Sequence, residues 1–239
     1  MLVSECPVCG NNNRQTAGAF RSSPQGKSNF GFAELDVAVI VYYERCMECG
    51  VLFQNPRMDD ESMRRYYAEG HYRKFLGNID VDGDEMERAK RVADSLQLES
   101  VTRHLDIGCS RGYLLQETRK KYNCAIQGFD LNPEYAEEGI PVVGEYGLLP
   151  GSYDLITSIH VLEHTTDPMH ELRRMHGLLT PGGTIILEVP SLACKGGPWR
   201  LAHTFVFEPW VLYGMCQSAE FDVKDVRVSE HIQLEMTLA

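Results

Sequence analysis

Residues 104–113, with the sequence HLDIGCSRGY, constrain the fold of this chain more than any other stretch. An apolar segment runs to Ile107, a turn lies between Gly108 and Gly112, and a helix-forming segment starts at Tyr113. A strand that leads through a glycine-bounded turn into a helix is typical of nucleotide-binding α/β folds, in which the ligand lies against the turn. We therefore expect an α/β domain with a ligand at this turn.

The same turn does not fit a dinucleotide. Counted from Gly108, the positions of the second and third glycines of the dinucleotide motif hold Ser110 and Tyr113. A pyrophosphate needs bare backbone at the second glycine and no anion near the helix N-terminus, whereas Asp106 precedes this turn. A ligand that carries positive charge and no phosphate fits these residues better.

Apolar segments with the character of strands alternate with helical segments along the second half of the chain. This alternation predicts a mostly parallel sheet. The predicted strands are residues 104–107, 124–129, 141–144, 153–159 and 184–189, followed by a hairpin of residues 221–228 and 232–238. The predicted helices are residues 113–121, 168–179 and 208–219.

The pattern Asp106-x-Gly108-x-x-x-Gly112 after a strand resembles motif I of the class I S-adenosylmethionine (SAM)-dependent methyltransferases. Asp130, residues 153–168 (YDLITSIHVLEHTTDP) and residues 178–190 (LLTPGGTIILEVP) are similar to the same family. The resemblance covers about 140 residues, the size of one domain. It implies a Rossmann-like, seven-stranded methyltransferase sheet. SAM carries a sulfonium and an ammonium beside one carboxylate, which agrees with a ligand that has positive charge and no phosphate.

The resemblance also implies where SAM lies, across the C-terminal ends of the first two strands. Asp130 is expected to hydrogen-bond the two ribose hydroxyls, and Leu131 is expected to pack on the adenine. The expected cofactor-binding residues are Asp106, Gly108, Cys109, Ser110, Gly112, Tyr113, Asp130, Leu131, Glu145, Tyr146 and His160.

Three histidines are candidates for catalysis. The sulfonium favours methyl transfer, so the protein mainly aligns the nucleophile with the methyl group. An oxygen nucleophile also has to lose a proton, a role that suits histidine near neutral pH. His160 and His164 follow the fourth strand and His203 follows the fifth, and we expect His164 or His203 to act as the base. The alternatives are a structural role for each histidine, or a divalent ion held by Glu163, His164 and Asp167 as in some sugar O-methylating relatives.

Two other functions match part of this pattern. Residues 160–164 (HVLEH) fit a metalloprotease motif whose two histidines must lie on one helix, one turn apart. His160 follows a strand directly, which argues against that geometry. Enzymes that methylate amino groups of bases carry an Asn-Pro-Pro-Tyr-type box after the fourth strand, and this chain has none.

Two matching knuckles, CPVCG at residues 6–10 and CMECG at residues 46–50, predict a metal site. The two-residue gap lets both thiols reach one ion, and the glycine permits the tight turn beneath it. An apolar stretch leads into the second knuckle, which is the arrangement of a zinc ribbon. We expect a structural zinc ion, with iron in a rubredoxin-like site as the alternative. The expected ligands are Cys6, Cys9, Cys46 and Cys49.

We expect three parts in the chain: a zinc-ribbon module at residues 1–57, a helical connector at 58–100 and the methyltransferase domain at 101–239. In the connector, a helix is expected after Asp59, a loop at residues 79–85 and a second helix at 85–98.

The ribbon, the following Asn55-Pro56-Arg57 and a Tyr-Tyr helix resemble the N-terminal module of bacterial methyltransferases linked to sugar and natural-product modification. In those enzymes the connector helices often cover the active site. Tyr66, Tyr67 and Tyr72 are therefore either lid residues or ordinary packing residues.

The net charge and the positions of the cysteines indicate which binding partners and which cellular compartment to expect. A net charge of -11 disfavours non-specific binding to nucleic acid or membrane. No apolar run approaches the roughly 18 residues of a spanning helix, and no signal peptide is evident. Four of the eight cysteines lie in the knuckles, which favours a reducing, cytoplasmic environment over a disulfide framework.

We therefore expect a cytoplasmic methyltransferase that acts on a small-molecule acceptor, with a hydroxyl of a sugar or related metabolite as the first candidate. A zinc-ribbon interaction protein that binds SAM without turnover and an RNA methyltransferase are the alternatives. The sequence predicts no particular oligomeric state.

Overall fold

The structure is a computed structural model that describes residues 1–21, 28–29, 34–35, 40–69, 81–194 and 197–239. The helices within those ranges are α1 (Asp60–Ala68), α2 (Val81–Ser95), α3 (Tyr113–Tyr122), α4 (Pro168–Leu178) and α5 (Pro209–Ser218). The strands of the N-terminal part are β1 (Arg14–Arg21), β2 (Ser28–Asn29), β3 (Glu34–Leu35), β4 (Ile40–Cys46) and β5 (Leu52–Gln54). The later strands are β6 (Arg103–Ile107), β7 (Ala125–Phe129), β8 (Val142–Val143), β9 (Tyr153–Ile159), β10 (Leu179–Pro190), β11 (Phe205–Val206), β12 (Phe221–Val228) and β13 (His231–Leu238).

Within the described ranges, seven strands form the central sheet in the order β12-β13-β10-β9-β6-β7-β8. Strands β6 to β10 pair in parallel, and the hairpin β12–β13 adds antiparallel strands beside β10. The chain runs outward from β6 to β8 and then returns to place β9 on the other side of β6, so the strand order reverses between β6 and β9. Ligands of open α/β sheets bind outside the C-terminal ends of the strands at such a reversal. The expected Rossmann-like, seven-stranded sheet is confirmed.

The core lies along β9 and β10, which are covered on both faces. Leu155, Ile156, Ile185 and Leu187 are fully buried. Near-continuous apolar runs of this kind are typical of parallel strands with helices on both sides. No helix in the part of the chain that the structure describes combines the length and apolar character needed to cross a bilayer.

Helix α2 begins earlier than the sequence pattern predicts. The loop expected at residues 79–85 is wrong for residues 81–85, which are helical, and residues 79–80 lie outside the described ranges. Asp82 and Asp84 occupy the first turn, where carboxylates are stabilised by the helix dipole. Ala89, Val92 and Ala93 of α2 pack with Leu114 of α3, which holds this part of the connector against the helix that follows β6.

The N-terminal part forms a second sheet with the order β1-β4-β5-β11. Its last strand, β11, belongs to the segment after β10, and Phe205 pairs with Phe53 in antiparallel register. The expected zinc-ribbon module therefore shares a sheet with the catalytic half of the chain.

Candidate active site

The turn after β6 depends on backbone conformations that glycine adopts readily. Gly108 and Gly112 have φ values of 72° and 80°, in the left-handed region. A Cβ atom at Gly108 would lie 2.3 Å from Cγ2 of Val161, and one at Gly112 would lie 2.7 Å from Cγ2 of Ile140. Both glycines are thus required by the local backbone and by the close packing of neighbouring side chains.

Four amides of this turn, those of Gly108, Cys109, Ser110 and Gly112, are occupied within the protein. Gly108 and Cys109 donate to the carbonyl oxygen of Phe129 at 2.7 and 3.2 Å, and Gly112 donates to the carbonyl of Cys109 at 2.8 Å. Ser110 donates to Oδ2 of Asp130 at 2.9 Å. A phosphate site needs several unused amides that converge on the anion. The turn therefore fits a ligand without phosphate.

Asp130 is held beside the turn at the end of β7. Its Oδ2 accepts from the amide of Ser110 and its Oδ1 accepts from the amide of Asn132, both at 2.9 Å. Two backbone amides therefore fix the orientation of the carboxylate beside the glycine turn.

Asp106 lies in a buried polar chain between β6 and β9. Its Oδ1 accepts from the hydroxyl of Thr157 at 2.6 Å, and that hydroxyl lies 2.8 Å from Nε2 of His104. Since the hydroxyl proton points to Asp106, His104 has to donate from Nε2. Burial raises the pKa of Asp106 to about 7 and lowers that of His104 to about 3. A cation bound nearby would favour the ionised form of Asp106.

Several other expected cofactor residues have packing roles. The side chain of Cys109 packs with Leu115 and Ile140, so it can contact a ligand only through its backbone. Tyr113 packs against the cluster between α2 and α3. Leu131 packs against the main core.

Glu145 and Tyr146 follow β8. Glu145 is exposed. The hydroxyl of Tyr146 donates to Oε2 of Glu171 at 2.6 Å, and its ring centroid lies 4.0 Å from that of Phe129. Burial and the neighbouring carboxylate raise the pKa of Tyr146. These contacts tie Tyr146 to α4.

His160 lies at the end of β9 with φ at 57° and bridges two buried acids. Its Nδ1 is 3.4 Å from Oε1 of Glu163, and its Nε2 is 3.4 Å from Oε1 of Glu188. Burial opposes protonation of His160, but these two carboxylates outweigh it and raise the pKa. Arg91 of α2 donates two hydrogen bonds, at 2.7 and 3.0 Å, to Glu188. The charge of Glu188 is thus compensated by Arg91.

The structure brings His164 and His203 together, with ring centroids 4.7 Å apart. His164 Nδ1 lies 2.9 Å from the carbonyl oxygen of Ala202, and His203 Nδ1 lies 2.6 Å from that of Pro198. A carbonyl only accepts, so both histidines donate from Nδ1 and carry a lone pair on Nε2. Burial lowers the pKa of His164 and lowers that of His203 to about 3.

Glu163 belongs to the same cluster, whereas Asp167 does not. The ligand atoms of Glu163, His164 and His203 all lie within 4.8 Å of one another. Asp167 is exposed, and its Oδ1 accepts from the amide of His170 as the N-cap of α4. Of the three residues considered from the sequence, Glu163 and His164 are thus close together, and the third group beside them is His203 rather than Asp167.

Helix α1 lies at the edge of this cluster. The ring of Tyr67 is 5.5 Å from that of His164, and the carbonyl of Ala68 accepts from Nδ2 of Asn132 at 2.8 Å. Tyr66 is buried, which fits a packing role. Tyr72, the third tyrosine considered for a lid, lies outside the described residues.

The four cysteines of the knuckles form a compact cluster that fits a zinc ribbon. Sγ of Cys6 is 3.6 Å from Sγ of Cys49, and Sγ of Cys9 is 3.5 Å from Sγ of Cys46. Zinc–sulfur bonds of about 2.3 Å in a tetrahedron place the sulfurs roughly 3.8 Å apart. In each knuckle the glycine amide donates back to the carbonyl of the first cysteine, at 2.9 and 3.0 Å.

The ribbon also holds the segment that carries His203. The carbonyl of His203 accepts from the hydroxyl of Tyr43 and from Nε2 of Gln54, both at 2.7 Å. Arg45 forms two hydrogen bonds with Glu208, at 3.1 and 3.2 Å. A sequence pattern does not reveal these contacts, because they join residues more than 140 positions apart.

Comparisons with known proteins identify the family of the chain. A family model described as "Methyltransferase domain" matches residues 64–224, about two thirds of the chain. A ubiquinone biosynthesis O-methyltransferase of Xanthomonas campestris pv. campestris is 28% identical over 158 residues, which cover 56% of this chain and 65% of that relative. One of Xanthomonas euvesicatoria pv. vesicatoria is 32% identical over 137 residues, 47% of this chain and 56% of the relative. The chain thus covers less than two thirds of the length of these relatives.

Two solved structures share the fold. The mitomycin 7-O-methyltransferase MmcR superposes with a TM-score of 0.62 at 15% identity, over 74% of this chain and 60% of that one. The 1,6-didemethyltoxoflavin-N1-methyltransferase of Burkholderia thailandensis was solved with S-adenosylhomocysteine. It superposes with a TM-score of 0.57 at 19% identity, over 81% of this chain and 98% of that one. From the family match and the sheet order, we conclude that the chain belongs to the family of methyltransferase domains.

Proposed function

We propose that this chain transfers a methyl group from SAM to a hydroxyl group of a small molecule, a sugar or a related metabolite being the first candidate. The observation that carries the proposal is the carboxylate of Asp130, held by the amides of Ser110 and Asn132 beside a turn in which four amides are already bonded within the protein. The names of the relatives support an oxygen acceptor, since the ubiquinone enzymes are O-methyltransferases.

SAM, when bound, supplies an electrophilic methyl group on a sulfonium. The residues that would hold SAM are those at the C-terminal ends of β6 and β7. Asp130 would accept hydrogen bonds from the ribose hydroxyls, and the turn of residues 108–112 would contact the remainder of the SAM molecule. The acceptor would lie at the end of β9, beside His160, His164 and His203. His164 and His203, each with a lone pair on Nε2, are the candidate bases for the proton of that hydroxyl if the acceptor is not held by a metal ion.

We also propose that Cys6, Cys9, Cys46 and Cys49 hold a structural zinc ion. All four positions of a tetrahedral ion would be filled by thiolates, so no position remains for a substrate. The ion would stabilise the sheet that contains Tyr43 and Gln54.

Replacing Asp130 with alanine should weaken SAM binding. Two hydrogen bonds to a charged group would be lost, worth about 3–6 kcal/mol together at most, so the dissociation constant should rise about a hundredfold to 10⁴-fold. Titration calorimetry of both proteins with SAM gives the ratio. Glu134→Ala, which removes an exposed acid four residues away, is the control and should bind SAM like the parent. Equal affinity of Asp130→Ala and the parent would place SAM elsewhere.

Transfer of isotope-labelled methyl from SAM should be observed with a hydroxyl-bearing small molecule. The experiment incubates the purified chain with labelled SAM and a panel of sugars, phenols, amines and RNA, and reads the product by intact mass. We expect label in a hydroxyl compound and none in RNA, because the chain is acidic. Label in RNA alone, or SAM binding without label in any compound of a broad panel, would contradict the proposal.

A further inference from the structure

The cluster of Glu163, His164 and His203 has the properties of a metal site. We propose that these three residues bind a divalent transition-metal ion such as Zn²⁺ at the C-terminal edge of the sheet, apart from the four cysteines. Binding of the ion does not depend on the proposed function; only its role in catalysis rests on that function.

The two histidines are oriented as metal-binding histidines usually are. A ligating histidine donates its other ring N–H to a carbonyl or carboxylate, which fixes the tautomer and the direction of the ligating nitrogen. His164 and His203 both do this through Nδ1, toward the carbonyls of Ala202 and Pro198. Each Nε2 is left with a lone pair, and that of His164 lies 3.6 Å from Oε1 of Glu163.

The only basic side chains that approach Glu163 among the described residues are histidines. Glu163 is 1% exposed, and among the described residues neither carboxylate oxygen has a hydrogen-bond donor. A buried carboxylate without donors is costly, and most such groups in proteins are paired or bind a metal. His160 approaches only to 3.4 Å and also faces Glu188.

The distances suit a transition metal. Oε1 of Glu163 is 3.6 Å from Nε2 of His164, and ligands at about 2.1 Å from a tetrahedral ion are about 3.4 Å apart. Small side-chain rotations would bring the third ligand atom within range, since all three already lie within 4.8 Å. Two nitrogens and one carboxylate favour zinc or a neighbouring metal over magnesium or calcium, which prefer oxygen ligands.

A second group, His160, Glu188 and His231, is also close enough to hold an ion. There, however, Arg91 already compensates Glu188 with two hydrogen bonds. Glu163 has no arginine or lysine partner among the described residues, which is why we place the ion at Glu163.

Three protein ligands leave one position of a tetrahedral ion open, as in catalytic zinc sites. The acceptor hydroxyl would occupy that position. Its O–H bond would break and the proton would pass to solvent water. The oxygen would then form a bond to the methyl carbon as the carbon–sulfur bond breaks, with the electron pair left on sulfur. In this case His164 and His203 act as ligands rather than as bases.

Metal content and thermal stability test the site without an acceptor. After addition of Zn²⁺ and desalting, the parent should hold one ion beyond that of the cysteine cluster. At a hundredfold excess over the dissociation constant, Zn²⁺ should raise Tm by about 5–10 °C. Glu163→Gln, which keeps the shape of the side chain, should lose the extra ion and the Tm shift.

Asp167→Asn is the matched control, since it removes a carboxylate of the same loop and retains an N-cap; it should keep the ion. His203→Asn provides a second ligand variant if Glu163→Gln is poorly folded. No extra ion in the parent, or an extra ion retained in both ligand variants, would overturn the site.

Labelled-methyl transfer separates the site from the proposed function. If Glu163→Gln lacks the ion yet methylates at the parent's rate, the ion has no catalytic role and the proposed function stands. If the ion binds as expected and no acceptor is methylated, the site stands and the proposed function falls.

Discussion

Replacing Cys46 with serine is expected to unfold the N-terminal sheet and to abolish methyl transfer. Cys46 is completely buried at the end of β4. A structural four-cysteine zinc site contributes about 10–16 kcal/mol of apparent binding energy, which for a module of this size is folding energy. Loss of one thiolate would therefore remove a large part of the energy that stabilises this sheet.

The damage should reach the active site through β5. Gln54 and Tyr43 hold the carbonyl of His203, and β5 pairs with β11 directly after it. SAM binding should suffer less than turnover, because the turn of residues 108–112 and Asp130 are held by β6 and β7.

Metal analysis, thermal unfolding and SAM titration of Cys46→Ser distinguish these effects. Cys124→Ser is the control, since it changes a buried thiol outside the ribbon, and it should keep the zinc and most of the stability. A Cys46→Ser protein with the zinc content and Tm of the parent would show that the cysteine cluster is not a structural metal site.

The strands of the central sheet could be predicted from the sequence because each of them is marked by a pattern of neighbouring residues. Buried parallel strands leave continuous apolar runs such as residues 153–159, and the glycine turn after β6 fixes the first crossover. The order of the remaining strands came from the resemblance to a known family rather than from periodicity.

The start of α2 could not be predicted in the same way. Asp82, Gly83 and Asp84 have the composition of a loop, yet they form the first turn of a helix. Ala89, Val92 and Ala93 of the same helix pack against α3. This packing outweighs the weak helix propensity of residues 82–84. Tertiary contacts of this kind are absent from a local pattern.

The active site was predicted in part. The sequence placed His164 and His203 in the loops after β9 and β10, and the structure brings their rings together. The sequence did not reveal that Glu163 lacks hydrogen-bond donors within the described chain, or that Gln54 donates to the carbonyl of His203. Both facts depend on contacts between residues that are distant in sequence. Asp167 was considered as an ion ligand only because it is near in sequence, and it caps a helix instead.

Replacing Gly108 with alanine is expected to destabilise the protein by about 2–5 kcal/mol and to abolish SAM binding. A non-glycine residue in the left-handed region costs about 1–2 kcal/mol, and overpacking a well-packed site costs about 1–3 kcal/mol more. Both penalties apply at Gly108, since φ is 72° and the new Cβ would lie 2.3 Å from Cγ2 of Val161. Relief of the overlap would displace the start of the loop that carries Glu163 and His164.

A matched glycine separates the two penalties. Gly151 has φ at 70°, and a Cβ added there would have no neighbour within 4 Å. Gly151→Ala should therefore show only the backbone penalty, about 1–2 kcal/mol, and should bind SAM like the parent. The double variant Gly108→Ala/Val161→Ala removes the overlapping methyl group, so part of the SAM affinity lost in Gly108→Ala should return. Urea unfolding and SAM titration of the four proteins measure both quantities. Gly108→Ala could instead be as stable as Gly151→Ala and bind SAM normally. That result would show that the close contact between Gly108 and Val161 does not determine the geometry of the cofactor site.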